Sequence, residues 1–123
     1  MLASNGRKSN NESYRAEHDR LVEDIIKSLS ATRLGKFWSQ PTGAAFRHDT
    51  IIRYGVIGSA DISGIMVGGK RIEIEVKTGK AQQSEQQKNF QSMINMMGGF
   101  YFVARSVSDA VDFVKSVAAS LEM

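Results

Sequence analysis

The sequence predicts a single α/β domain built on a mixed central sheet flanked by helices, and three observations carry that prediction. Residues 71–77 (Arg-Ile-Glu-Ile-Glu-Val-Lys) alternate apolar and charged side chains with a period of two, as a strand with one buried face does. Longer stretches before and after it repeat their apolar residues at helical spacing instead. Phe100 to Ala104, between two such stretches, is apolar throughout, which suits a strand with cover on its faces.

Taken in order, residues 1–12 are polar and rich in Ser, Asn and Gly, and read as a disordered tail whose Arg7 and Lys8 could brush a polyanion. The domain then occupies residues 13–123. A first helix is expected over residues 13–30, because Leu21, Val22, Ile25, Ile26 and Leu29 form one apolar stripe. Gly35, Pro41 and Gly43 break the next stretch and leave a short strand around Phe37 and Trp38. Residues 50–57 are β-rich, and Gly58-Ser59-Ala60 leads into a hairpin over residues 61–77 with Gly68-Gly69 at its turn. A second helix is expected over residues 84–97. Ser84 is its N-cap, and Gln87 stands at capping-box spacing. Gly98-Gly99 ends it. After the apolar strand, Ser106 or Ser108 caps a final helix with Val111, Val114 and Leu121 inside. The order is α, three or four strands, α, β, α, with residues 72–76 and 100–103 expected near the middle of the sheet.

The hairpin carries the chemistry. Asp61 stands at its start, and Glu75 and Lys77 at its end. Two carboxylates and an ammonium meeting there can hold Mg²⁺ and activate water beside a phosphate. Register decides whether they meet. A two-residue Gly-Gly loop sets Asp61 opposite Val76, with Glu75 on the other face. A loop of residues 67–69 sets Asp61 opposite Glu75, and a loop of residues 68–70 sets it opposite Lys77. A solvated strand of mixed charge is the alternative for an isolated Glu-x-Glu-x-Lys segment.

Composition excludes several classes. The 123 residues suffice for one core, are 41% hydrophobic, and hold no apolar run long enough to span a membrane. With no cysteine there is no disulfide, thiolate zinc site or cysteine nucleophile. The start lacks an apolar signal-peptide core, which favours the cytoplasm. The net charge of +3 is compatible with a polyanionic partner. No Walker-type loop suggests a nucleotide cofactor. His18 and His48 lack metal-ligand spacing and read as surface or satisfied histidines. Trp38 reads as packed, although an exposed indole could stack on an unpaired base.

The ordered series of motifs resembles the PD-(D/E)xK nuclease superfamily and, within it, the VRR-NUC (virus-type replication-repair nuclease) group. Trp38-Ser-Gln-Pro-Thr-Gly-Ala44 with Phe46-Arg47 is similar to the family's aromatic-x-x-x-x-Gly-Ala segment. Gly58-Ser-Ala-Asp61 stands where the family carries its acidic signature, and Ile74-Glu-Val-Lys77 where it carries Glu-x-Lys. Ser84-x-x-Gln87-x-x-Phe90 and the run from Gly98 to Ser106 resemble the second helix and the closing strand. Ala60 replaces a common proline, which changes stiffness but removes no ligand.

The resemblance implies a restriction-endonuclease-like domain (α-β-β-β-α-β-α) that hydrolyses DNA phosphodiesters with Mg²⁺ or Mn²⁺, on a Holliday junction, fork or flap. Asp61, Glu75 and the Val76 carbonyl would bind the metal. Lys77 would orient the nucleophile or stabilise charge, and Gln87 would position water or a phosphate oxygen, or else cap its helix. The family's first-helix glutamate is matched to Glu17, with Glu23 in reserve. Lys80, Lys88, Arg47 and Arg53 could follow the DNA backbone. A homodimer is expected, with Met93, Met96, Met97, Phe100 and Tyr101 as interface material. A catalytically silent DNA-binding or assembly module and a restriction-type enzyme are the alternatives.

Overall fold

A computed structural model of the chain describes the backbone of residues 2–40, 43–47 and 50–122, with side chains for residues 13–40 and 55–122. The elements follow one another as α1 (Leu2–Thr32), β1 (Gly35–Ser39), β2 (Gly43–Arg47), β3 (Thr50–Tyr54), β4 (Ile62–Met66), β5 (Arg71–Val76), α2 (Glu85–Met96), β6 (Phe100–Ala104) and α3 (Val107–Leu121). Four strands form a mixed sheet in the order β1-β4-β5-β6, antiparallel except for the parallel pair β5 and β6. The α2 crossover makes that parallel pairing possible. β2 and β3 pair with each other as a separate hairpin, inserted in the chain between β1 and β4. Without this insertion the order is α-β-β-β-α-β-α. The sequence reading missed β2 because Gly43-Ala44-Ala45 has little β-propensity and follows a proline.

Two layers of helix cover the sheet. On one face Val22, Ile25 and Leu29 of α1 and Ala110, Val114 and Val117 of α3 pack over Phe37, Ile62, Met66, Ile72, Ile74 and Val76. Each large aliphatic side chain fully buried here contributes about 1.5–3 kcal/mol. On the other face Phe90 and Ile94 of α2 pack on Tyr101 and Ala60, with the Phe90 and Tyr101 rings edge to face at 6.3 Å.

This double cover corrects the expectation that β5 buries one face only. Residues 72–76 are all buried, the two glutamates included. Glu73 is satisfied there by the Ser63 hydroxyl at 2.6 Å and by Arg71, whose Nη2 and Nε donate at 2.7 and 3.1 Å. Other expectations also shift. α1 starts at Leu2, so residues 2–12, read from composition as a disordered tail, are helical. β6 is an edge strand and not a central one; it is apolar because α2 and α3 lie against its faces. Tyr101 is buried beneath α2, Phe100 packs against the main core, and Leu121 at the end of α3 is exposed. Among the described residues no helix is long and apolar enough to cross a membrane.

The hairpin turn settles the register. Ile65 pairs with Arg71, the Met66 amide bonds to the Lys70 carbonyl at 2.8 Å, and the Gly69 amide returns to Met66. The loop is therefore residues 67–69, with Gly68 and Gly69 at φ of 103° and 98°, and continuing this register brings Asp61 opposite Glu75. The connection before Asp61 is held equally closely. Gly58 has a φ of +82°, and a Cβ placed on it would clash with the Gln86 carbonyl oxygen in α2.

The two glycines give a paired test by urea unfolding. Gly68→Ala, which meets no atom within 4 Å, should cost roughly 1 kcal/mol from backbone strain alone. Gly58→Ala adds a backbone clash and should cost at least about 2 kcal/mol. Equal losses would mean that the contact between this loop and α2 is not close.

Candidate functional site

The register places two acids at one end of the sheet. The Val76 amide donates to Asp61 Oδ2 at 2.8 Å, which fixes the Asp61 side chain against the end of β5. The Asp61 carbonyl accepts from the Gln40 amide at 2.8 Å and ties the same point to the end of β1. Glu75 is only 3% exposed. Burial, followed by the hydrogen bond and charge of Asp61, pushes its carboxyl up from 4.5 to about 9, against weaker downward pulls from Lys77 and Tyr101. The Tyr101 hydroxyl donates to Glu75 Oε2 at 3.4 Å. Burial and the neighbouring Glu75 charge in turn raise the phenol above its ordinary range.

Lys77 follows in the chain. Its Nζ lies 3.9 Å from Glu75 Oε1 and donates to Gln87 Oε1 at 3.0 Å. That same oxygen accepts from the Ser84 amide at 2.9 Å, while Ser84 Oγ accepts from the Gln87 amide, so the capping box of α2 is complete. One amide oxygen thus caps the helix and also anchors the ammonium. The approach from β5 to α2 is clamped by Arg105, whose guanidinium donates to the Gly79 and Ala81 carbonyls at 3.0 and 2.7 Å.

The first helix supplies the opposite wall. His18 Nε2 lies 3.0 Å from the Val76 carbonyl oxygen and 3.4 Å from Asp61 Oδ2. A cleft of about 520 Å³ opens between Tyr14, Arg15 and His18 on α1 and Glu75, Lys77 and Gln87 across it. His18 also borders a smaller hollow of about 190 Å³ that reaches Asp61 and Gln40.

Asp61, Glu75, Val76, Lys77 and Gln87 are therefore brought together. Glu17 is not: it is exposed and borders a separate groove with Arg20, Asp24 and Arg105. Glu23 is exposed and borders neither space. Lys80 and Lys88 are exposed away from the cleft lining, and Lys88 lies 3.9 Å from Glu85. The side chains of Arg47 and Arg53, and the whole of His48, lie outside the described residues. Trp38 is exposed at the edge strand, with its indole N–H on Gln40 Oε1 at 3.3 Å.

Sequence reasoning missed Tyr14, Arg15, His18 and the Tyr101 hydroxyl. A signal for the helix residues was available. The buried stripe Val22, Ile25, Leu29, extended back by one turn, arrives at His18 and then at Tyr14. Glu17 lies about 100° around the helix from that stripe.

The donor set suits a hard cation. Among the described residues no three His, Cys, Asp or Glu side chains form a ready-made metal group. What is present is a pair of carboxyl groups and the Val76 carbonyl, an open oxygen set of the kind Mg²⁺ uses when it keeps several waters. Burial first, and then the neighbouring Asp61, favour the protonated form of Glu75 in spite of Lys77.

A stability measurement tests this. Without metal, the folded Glu75 carboxyl holds a proton that the unfolded chain releases above its pKa of 4.5. Its contribution is complete below that value and is lost as the pH rises towards about 9. In EDTA, Glu75→Gln should therefore gain on the parent chain in urea midpoint between pH 5 and pH 9. Parallel pH profiles for the two proteins would refute the buried acid pair.

Comparison with protein-family models gives no match, and no curated protein matches the chain.

Proposed function

We propose that the chain is a metal-dependent DNA endonuclease of the PD-(D/E)xK type, closest in its motifs to the VRR-NUC group. Its substrate would be branched or flapped DNA, in phage or bacterial replication, recombination or repair. The observation that carries this reading is the meeting of Asp61, Glu75 and Lys77 at one hairpin end, beside an open cleft. Asp61, Glu75 and the Val76 carbonyl would hold Mg²⁺ or Mn²⁺, which when bound supplies Lewis acidity towards phosphate and a nucleophilic water. Lys77, directed by Gln87, offers a preorganised positive charge where negative charge grows on the phosphate as water adds and one P–O bond breaks. Gln87 acts through Lys77 in this arrangement. Arg15 and Tyr14, on the far wall, provide a phosphate contact and a ring on which an unpaired base can stack.

The same fold without catalysis, serving as a DNA-binding or assembly module, is disfavoured by this complete set of groups. A second copy of the chain remains part of the proposal, because Met96 at the end of α2 and Met97 at its C-cap are 84% and 79% exposed. Tyr101 is buried and would take no part in that interface, while Phe100 is half-buried against the main core.

Labelled flap, fork, four-way-junction and duplex DNA, incubated with the purified protein and Mg²⁺, provide the direct test. Cleavage of a branched substrate is expected, abolished by Asp61→Asn and by Glu75→Gln. Lys77→Ala should slow the chemical step by roughly 10² or more, with Gln87→Ala intermediate because it frees the ammonium without removing it. Near-normal rates in either carboxylate variant would refute the site. Light scattering that gives a dimer mass, with paired nicks in a junction, would favour a resolvase; a monomer giving single nicks would favour flap or fork cleavage.

A further inference from the structure

We propose that the β1 side of the sheet, on the face that carries Glu73 and Glu75, is a platform for an unpaired DNA strand, with Trp38 as its stacking ring. The proposal rests on the nuclease reading and specifies the substrate as DNA with a single-stranded arm. Its basis is one open stretch of sheet. Phe37 and Met66 enter the main core, so Lys36 and Trp38 on β1 and Ile65 and Val67 at the end of β4 lie on the opposite face. Trp38 pairs with Ser63 and Ser63 with Glu73, and the next row is Lys36, Ile65 and Arg71. α2 covers this face towards β6, where Phe90 and Ile94 meet Tyr101. Towards β1 the apolar side chains of Trp38, Ile65 and Val67 are exposed.

An aromatic ring on an open sheet face beside cations suits unpaired bases, because every base offers a π-face and every link a phosphate. A duplex keeps its bases stacked on one another and offers the ring no free face. Lys36 is exposed next to Trp38, and the Arg71 side chain is half exposed while its guanidinium holds buried Glu73 at 2.7 Å. A second copy of the chain would bring the same cations to this face, whereas a polyanion neutralises them. The indole is also tied to the acid pair. Its N–H donates to Gln40 Oε1 at 3.3 Å, and the Gln40 amide donates to the Asp61 carbonyl at 2.8 Å. Trp38 stands two residues, about 7 Å, along the strand from Gln40. A strand stacked on the ring therefore has its neighbouring phosphate directed towards Asp61 and Glu75.

Trp38 is the only tryptophan of the chain, so its fluorescence reports the platform directly. In EDTA, oligothymidylate added to the full chain should quench the indole, and a duplex of the same length should quench it far less. By anisotropy of the labelled oligonucleotide, Trp38→Ala should weaken binding by roughly 10-fold, and Trp38→Phe should recover most of that loss. Lys36→Ala should lower the slope of log K against log salt by about one. Single-strand binding without quenching, or equal quenching by duplex, overturns the platform; flap cleavage that still depends on Asp61 would then leave the nuclease reading standing. A dimer mass in which the indole is already shielded before DNA is added also overturns it, in favour of a second copy. Quenching by single strands with no metal-dependent cleavage of any substrate supports the platform and overturns the nuclease reading alone.

Discussion

The pairing of β4 with β5, in the register imposed by the turn at residues 67–69, is the constraint on which the rest of the site depends. A side chain in a sheet changes face with every one-residue slip. Only an odd loop brings Asp61 opposite Glu75, and the bond from the Met66 amide to the Lys70 carbonyl selects one. The two glycines allow it because both adopt positive φ with no neighbouring atom to oppose them. From that register follow the Asp61 contact with the Val76 amide, the crowding of two acids and the position of Lys77 at the start of α2.

Glu73 and Glu75 show how one strand face can hold a charge-paired acid and an acid that faces a second one. They are two residues apart, both buried, on the sheet face opposite Ile72, Ile74 and Val76. Glu73 has an Arg71 guanidinium on one oxygen and the Ser63 hydroxyl on the other, so its charge is paired and its hydrogen bonds are made. Glu75 faces another acid, and the nearest ammonium is 3.9 Å away and bonded to Gln87. Burial and the second acid therefore favour the uncharged form of Glu75. The difference lies in which neighbours the sheet supplies, since the residue type and the face are the same.

The helices do more than cover the core. α1 is anchored by Val22, Ile25 and Leu29, and this places His18 and Tyr14 on the cleft as a matter of helical geometry. α2 presents Gln87 in its first turn, where a capping interaction already immobilises the side chain that holds Lys77. The loop between β5 and α2 hangs on Arg105 from beyond β6. The site is thereby supported by elements from most of the length of the described chain.

The alternating run at β5, the helical stripes, the Ser84 capping box and the apolar strand before α3 were legible in the sequence because each is a local pattern with its own period. The acids and lysine of the hairpin were legible for the same reason, as a spacing along one strand. Long-range packing decided the remainder. A period-two pattern cannot say that the charged face will also be covered, so the burial of Glu73 and Glu75 was decided by tertiary packing. The choice of His18 over Glu17 was set by which side of α1 meets the sheet, a matter of 100° around a helix. The edge position of β6, read as central, followed from strand order, which no local pattern encodes. Sequence determined which groups were available; the tertiary structure determined which of them share low-dielectric space, and there their charges act on one another.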